Sequence, residues 1–370
     1  MSTLQRLIAG ALAVLTGAAV TVLVLGRAPT TAVPAAPNAA EVTAVAAAEQ
    51  FLHTYTNPDG RVVRRDQGGD TVSEGQAYGM LLAVAAGDRA RFTSIWNWTR
   101  ANLLRPDGLL AWQWRDGALV DHESAADADL DAARALVLAG TRFTDPAITA
   151  QGTTMATAVL DHETVQTPLG PVLTAGTWAT NAPWTVNPSY FSPLATAQLG
   201  AATGDPRWAQ VGATGTTITS RLLAENPLPP DWAQLSSSGA VTPTPAPDGT
   251  GPRFSFDAAR MVLRTAESCS PDAGALAANT ATELDAPVSE LRGVYALNGT
   301  PTVDWQDPLI LAAAAAADTA RGQQARAGAA LDAAARLAQR EPGYYGAAWV
   351  ALGRVMLQTN LLGSCTTGTT

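Results

Sequence analysis

The stretch "DTVSEGQAYGMLLAVAAGD", Asp70 to Asp88, decides how this chain is read. After Ser73 and Glu74, small and apolar residues run without a further charge to Gly87. A helix that uniform is built for the inside of a larger helical body, not for its surface. Ser73 reads as the N-cap and Gly87 as the stop. Glu74 does not fit burial. An acid at a helix mouth is favoured by the helix dipole, so a cap and a catalytic acid are both open at this point.

Working outward, the same kind of segment recurs. "EVTAVAAAEQFLHTYT" precedes it and ends at the turn Asn57-Pro58-Asp59-Gly60. After it come "ARFTSIWNWTRANLL", "DADLDAARALVLAGTRF", "PAITAQGTTMATAVLDHE" and others, through "YYGAAWVALGRVMLQ". About a dozen helices joined by Gly, Pro and Asp turns are expected, with few strands. Segment and loop lengths vary, which argues against an open repeat array and for a closed toroid. Long loops fall between alternate helices, at Arg105–Ala126, Thr164–Asn187 and Glu225–Phe254. They carry Trp112 and Trp114, Trp178 and Trp184, and Trp232. Loops of that length in a compact domain usually carry function. The expected fold is all-α: a closed helical barrel whose long loops form a cleft at one end.

The N-terminus bounds the compartment. "LIAGALAVLTGAAVTVLVLG", Leu7 to Gly26, follows Arg6 and reads as a signal-peptide core or an uncleaved membrane anchor. The expected organisation is residues 1–27 as signal peptide or anchor, 28–40 as a Pro/Ala-rich tether, and 41–370 as one catalytic domain. That places the domain outside the cytoplasm, secreted or membrane-anchored. A net charge of −9 and a pI near 4.8 exclude a nucleic-acid partner, which needs a basic surface. Cys269 and Cys365 are an even pair suited to an oxidising compartment. A bridge between them would add about 4 to 5 kcal/mol in the chain-entropy picture; two free thiols fit the sequence equally.

The chemistry narrows by elimination. His53, His122 and His162 are scattered, with no partner at metal-ligand spacing, so no metal is expected. No Gly-x-Ser-x-Gly elbow, phosphate loop or dinucleotide fingerprint is present, and the family resemblance described below implies no organic cofactor. Carboxylates remain. Asp127, Asp129 and Asp131 open one helix, but Ala132 and Leu138 stand where a calcium loop needs Gly and a ligand. Asp127 and Asp131 share a helix face and Asp129 does not, so only part of the set can line a cleft. The others are expected to cap or face water. "FSFDAARMVL" puts Asp257 at another helix start, with Arg260 one turn on. An ion pair accounts for that spacing on its own. Acids at three helix mouths, with tryptophan-bearing loops between them, point to a sugar-binding cleft. Glycoside hydrolysis needs such a carboxyl pair.

These residues resemble glycoside hydrolase family 8, and within it the endoglucanases that accompany bacterial cellulose synthases. "TVSEGQAYGM" (Thr71–Met80) is similar to the family's general-acid motif, and "SAADAD" (Ser124–Asp129) to its second signature. "NPSYFSP", "LPPDW", "FDAAR" and "GYYGAAW" follow in the family's order. The likeness runs from about Asn57 to Leu357.

The resemblance implies an (α/α)6 barrel and inverting, endo-acting cleavage of β-1,4-linked glucan. It makes Glu74 the proton donor, Asp257 the base that activates water, and Asp127 the residue that binds and distorts the sugar. Trp112, Tyr190, Tyr345 and Arg260 join Asp127 as expected substrate-binding residues. It implies Glu74 and Asp257 carboxyls about 6.5 to 9.5 Å apart and a Glu74 proton held near neutral pH. The implied partner is a β-1,4-glucan, with exopolysaccharide-synthesis machinery a further candidate. Xylanase, chitosanase and lichenase activity, or a non-catalytic glycan-binding component of a secretion system, are the alternatives. Two departures stand beside the presumed catalytic acids: Ala126 replaces a Ser or Thr, and Phe256 replaces a Tyr.

Overall fold

The computed structural model describes residues 37–268 and 270–363. The expected N-terminal segment 1–27, and both Cys269 and Cys365, lie outside the described residues. No helix among the described residues is long and apolar enough to cross a membrane. Of the expected tether, the last two residues are already helical, because Asn38 caps the first helix by accepting from the Glu41 amide at 2.9 Å.

Thirteen α-helices occur among the described residues. Six of them form an inner circuit: α2 (Ser73–Ala86), α4 (Ala126–Arg142), α6 (Pro193–Thr203), α8 (Ala258–Ala266), α11 (Pro308–Ala320) and α13 (Tyr344–Gln358). Each packs on the next, and α13 packs back on α2. The outer layer is α1 (Ala39–Tyr55), α3 (Arg89–Asn102), α5 (Pro146–His162), α7 (Arg207–Glu225), α9 (Pro271–Asn279) with the one-turn α10 (Ala281–Leu284), and α12 (Gln324–Arg340).

Sequence decides which layer a helix joins. Two inner helices are buried nearly all round: every residue of α2 except Glu74 and Ala86 is buried, as is all of α11 from Pro308 to Asp318. Outer helices bury one stripe. In α7 that stripe is Trp208, Val211, Thr214, Gly215, Ile218, Thr219 and Leu222, at helical spacing. Helices α4 and α5 pack closely because Gly152 lies against Leu136 and Val137, where a Cβ would fall within 2.9 Å of both.

Eight short strands occupy the connections, and sequence periodicity could not resolve pieces of two to four residues. Strand β1 (Thr71–Val72) pairs with β2 (Gln113–Arg115), which pairs with β3 (Ala118–Asp121). Strands β4 (Thr164–Thr167) and β5 (Gly170–Leu173) form a hairpin. Strand β6 (Trp184–Val186) pairs with β7 (Ala233–Leu235), and β7 with β8 (Val241–Pro243). These pairings tie the first long loop to the start of α2, and the second loop to the third.

Candidate active site

Glu74 sits in the first turn of α2, and that turn differs from the sequence reading. The N-cap position is Val72, not Ser73. Ser73 is fully buried, its hydroxyl has no partner, and its amide donates to the Trp112 carbonyl at 2.9 Å. The β1–β2 pairing takes over the anchoring of this helix start. It also carries Trp112 to the same place as Glu74.

A cavity of about 420 Å³ opens here, lined by Glu74, Asp257, Arg260, Trp112, Tyr190 and Trp232 among others. Asp127 is buried just beneath, at the start of α4, and Asp257 immediately precedes α8. The three acids meet on one guanidinium. Arg260 Nη1 donates to Asp127 Oδ2 at 2.7 Å, to the Tyr78 hydroxyl at 3.0 Å and to Glu74 Oε2 at 3.3 Å. Its Nη2 donates to Asp257 Oδ1. The Tyr190 ring lies under the guanidinium, 5.5 Å from ring centre to Cζ. Glu74 and Asp257 are therefore separated by no more than one guanidinium and two hydrogen bonds.

One positive charge cannot neutralise three carboxylates, and contact quality decides which of them keeps a proton. Asp127 and Asp257 hold the closer bonds to Arg260. Glu74 holds the longest, with only the Tyr78 hydroxyl, 3.4 Å away, as a further donor. Burial pushes the Glu74 carboxyl up to about 7; Arg260 opposes the shift, and Asp127 and Asp257 add to it. Asp257 is also raised by burial against the pull of Arg260, and the Trp232 indole moderates it by donating to Oδ2 at 3.1 Å. The site thus sets a carboxyl whose proton affinity is raised to about 7 beside a second, better hydrogen-bonded carboxyl, an asymmetry that acid–base hydrolysis can use.

The other expected residues are placed as follows. Trp112 and Tyr190 line the cavity. Tyr345 does not; its hydroxyl donates to the Phe256 carbonyl at 3.1 Å. Arg260 lines the wall, but its two Nη groups are occupied by side chains of the protein itself. Ala126 is fully buried and its amide donates to the Ala175 carbonyl, so the hydroxyl it lacks falls in the core and not in the cavity.

Asp129 and Asp131 correct the expectation of capping or solvated acids, because both are buried. Asp131 pairs with Arg264 at 2.6 Å. Asp129 accepts the Leu110 amide at 2.7 Å and holds the first long loop. A ladder results. Asp127, Asp131 and Arg134 of α4 face Arg260, Arg264 and Glu267 of the α8 segment, at 2.7, 2.6 and 2.7 Å. Helix α6 stands between these two helices in the ring, so the long arginine side chains span the barrel interior.

Sequence reading left four contributors out of the site. Trp178 and Trp232 were visible as loop aromatics, but only folding turns them towards Asp257. Arg64 lines the cavity and is held by Asp70 through bonds of 2.8 and 2.6 Å. Its only signal was the charged run "RVVRRD" before α2. Asp231, of "LPPDW", accepts from the amides of Ser255 and Ala258, both at 2.9 Å, and so clamps the segment that presents Asp257.

A helical double ring with a carboxylate cavity at one end is the architecture of a carbohydrate-cleaving enzyme class, and the chain belongs to the glycosyl hydrolases family 8, whose family model matches residues 22–282. Among curated relatives, a probable endoglucanase of Novacetimonas hansenii is 37% identical over 221 residues, covering 58% of this chain and 64% of that protein. The chain thus spans less than two thirds of that relative's length. Among solved structures, an endo-β-1,4-glucanase from Acetobacter xylinum superposes with a TM-score of 0.72 at 29% identity, over 85% of this chain and 98% of the other. A β-1,3-1,4-glucanase from Paenibacillus sp. X4 shares the fold, with a TM-score of 0.77 at 23% identity over 89% and 94% of the two chains.

Proposed function

We propose that the protein is an inverting endo-β-1,4-glucanase in which Glu74 is the general acid and Asp257 the general base. The observation that carries this reading is the single guanidinium of Arg260 shared by Glu74, Asp127 and Asp257. It leaves the least well-bonded carboxyl, Glu74, protonated near neutral pH. Glu74 protonates the glycosidic oxygen while Asp257, ionised and steadied by Trp232, takes a proton from the attacking water. Asp127 keeps Arg260 in place and raises the proton affinity of Glu74. Trp112 and Tyr190, with Trp178 and Trp232, offer aromatic faces to pyranose rings, and Tyr345 supports the site through Phe256. A β-1,4-glucan substrate is supported by the names of the relatives above.

The test is release of reducing ends from soluble cellulose, mixed-linkage glucan, xylan and chitosan. Cleavage of β-1,4-glucan that Glu74→Gln abolishes supports the assignment. Equal activity in that variant sinks it, and binding without cleavage by the wild type would identify a glycan-binding component instead. The anomer of the first product, followed by NMR, tests inversion separately.

The proposal extends to location. The apolar run at residues 7–26 supports an extracytoplasmic domain, secreted or tethered beside exopolysaccharide-synthesis machinery. Cell fractionation checks this; activity confined to the cytoplasm would reject it.

A further inference from the structure

Two fully buried carboxyls take no part in the Arg260 cluster: Asp129, near the start of α4, and Glu163, which follows α5, the helix packed on α4. Each spends one oxygen on a loop. Asp129 Oδ1 accepts the Leu110 amide at 2.7 Å, two residues before Trp112. Glu163 Oε1 accepts the Ser124 hydroxyl at 2.6 Å, and Ser124 Oγ in turn accepts the Thr177 amide at 3.0 Å, next to Trp178. The Glu163 carbonyl also accepts the amide and the hydroxyl of Thr174, both at 2.9 Å. The two acids thus hold both of the long loops whose residues Trp112, Ser124 and Trp178 line the cavity.

The second oxygen of each acid, Asp129 Oδ2 and Glu163 Oε2, is sealed from water and has no hydrogen-bond donor among the described residues. Arg105, the cation that acts on both, donates instead to the His122 carbonyl, Asp107 and Thr177. Burial pushes Glu163 up to about 8; Asp127 and Asp107 add to the shift, and Ser124 and Arg105 oppose it. Burial also raises Asp129 well above the ordinary aspartate range, and the Glu163 charge adds to that more than the Asp127 charge does. A carboxylate can only accept, so two orphan acceptors in a dry place are satisfied together by one proton between them.

We propose that Asp129 and Glu163 share a proton and act as a pair of positioning residues, locking the first and second long loops together and so fixing the cavity wall that receives the glucan. The substrate rests on the glucanase reading above; the pair does not. Loss of the shared proton puts two like charges in a dry place and loosens both loops, so the lock opens at alkaline pH.

A double-variant cycle tests the shared proton. In Glu163→Gln the amide oxygen still accepts from Ser124 and the NH2 group donates to Asp129; Asp129→Asn is the mirror case. Each single variant should fold, with a denaturation midpoint at pH 6 close to that of wild type. The double variant sets two donors against each other, so its midpoint should fall by more than the two single shifts combined. A double variant that fails to fold while both singles do is the extreme of that result. Additive shifts, or single variants that do not fold, would overturn the pair. With Glu163 raised from 4.5 to about 8, wild type should also lose stability relative to Glu163→Gln as pH rises between those values; an identical pH dependence would overturn it too.

Positioning has its own readout. Glu163→Ala frees Ser124, and KM for soluble cellulose should rise about ten-fold with little change in kcat, while Glu163→Gln stays near wild type. Ser124→Ala, which cuts the link and leaves both acids in place, should raise KM in the same way if the Glu163→Ala protein does not fold. An effect confined to kcat would reject positioning. A wild type that cleaves no glucan would defeat the glucanase reading, while the stability cycle would still decide the pair.

Discussion

Arg260 Nη1 and Asp127 Oδ2 lie 2.7 Å apart, both side chains nearly sealed from water, in the wall beneath the candidate acid and base. Their pairing is the uppermost of three rungs joining α4 to the α8 segment across the barrel interior. The same bond supports the fold and sets the charge at the cavity floor.

Asp127→Asn removes that charge. Glu74 then loses a repulsive neighbour and gains a larger share of Arg260, so its pKa falls. The alkaline limb of kcat/KM should move to lower pH. Loss of a buried pair also costs stability, here about 3 kcal/mol, the low end for such pairs because Arg260 keeps Asp257. A pH–rate profile and urea denaturation check the two effects.

The wild-type pH profile should itself be a bell. Glu74 must be protonated, so kcat/KM should fall as pH rises through about 7. Asp257 must be ionised, and its raised pKa places the acid limb above the ordinary aspartate range. Both limbs belong to the coupled cluster and not to single residues. Full activity persisting to pH 9 would contradict Glu74 as the acid.

Glu74 also links pH to stability. Its folded pKa, about 7, lies above the ordinary 4.5. The unfolded chain therefore ionises first, and stability present below pH 4.5 is lost as pH rises through 7. Glu74→Gln escapes that loss. It should be more stable than wild type by up to about 3 kcal/mol at pH 8, with little difference at pH 4. Denaturation midpoints at the two pH values provide the comparison.

Trp232→Phe keeps the aromatic face and deletes the indole donor to Asp257. Activity should drop roughly ten-fold, the equivalent of one lost hydrogen bond in the transition state. The acid limb should shift to higher pH, because that bond favours ionised Asp257. Steady-state kinetics across pH 4 to 7 would show both.

At the other end of the ladder, Glu267→Ala strands Arg134, which otherwise donates to Glu267 at 2.7 and 3.1 Å. This should destabilise the protein by about 3 to 5 kcal/mol. In the protein that still folds, kcat should be close to wild type, because Arg134 and Glu267 are absent from the cavity lining. Calorimetry and kinetics on the same preparation would separate the two roles.

Much of the architecture was legible along the chain. The uniformly apolar segment Ser73–Ala86 marked an inside helix, the run of about a dozen helical segments marked the class, and three tryptophan-bearing loops marked the cleft. The capping of α2 was misread. Ser73 has the right side chain for a cap, but the β1–β2 pairing turns it inward, and a contact some forty residues away outweighs a local preference.

The sequence by itself determined the helical class and the presence of Glu74, Asp127 and Asp257 at helix starts. Those follow from periodicity and composition, which are local. Tertiary structure alone decided that the three acids share one guanidinium, that Asp129 and Asp131 are buried, and that Trp232 reaches Asp257 while Tyr345 supports Phe256. The physical reason is that proton affinity depends on burial and neighbouring charge, and both are set by residues up to 186 positions apart in the chain, as Glu74 and Arg260 are.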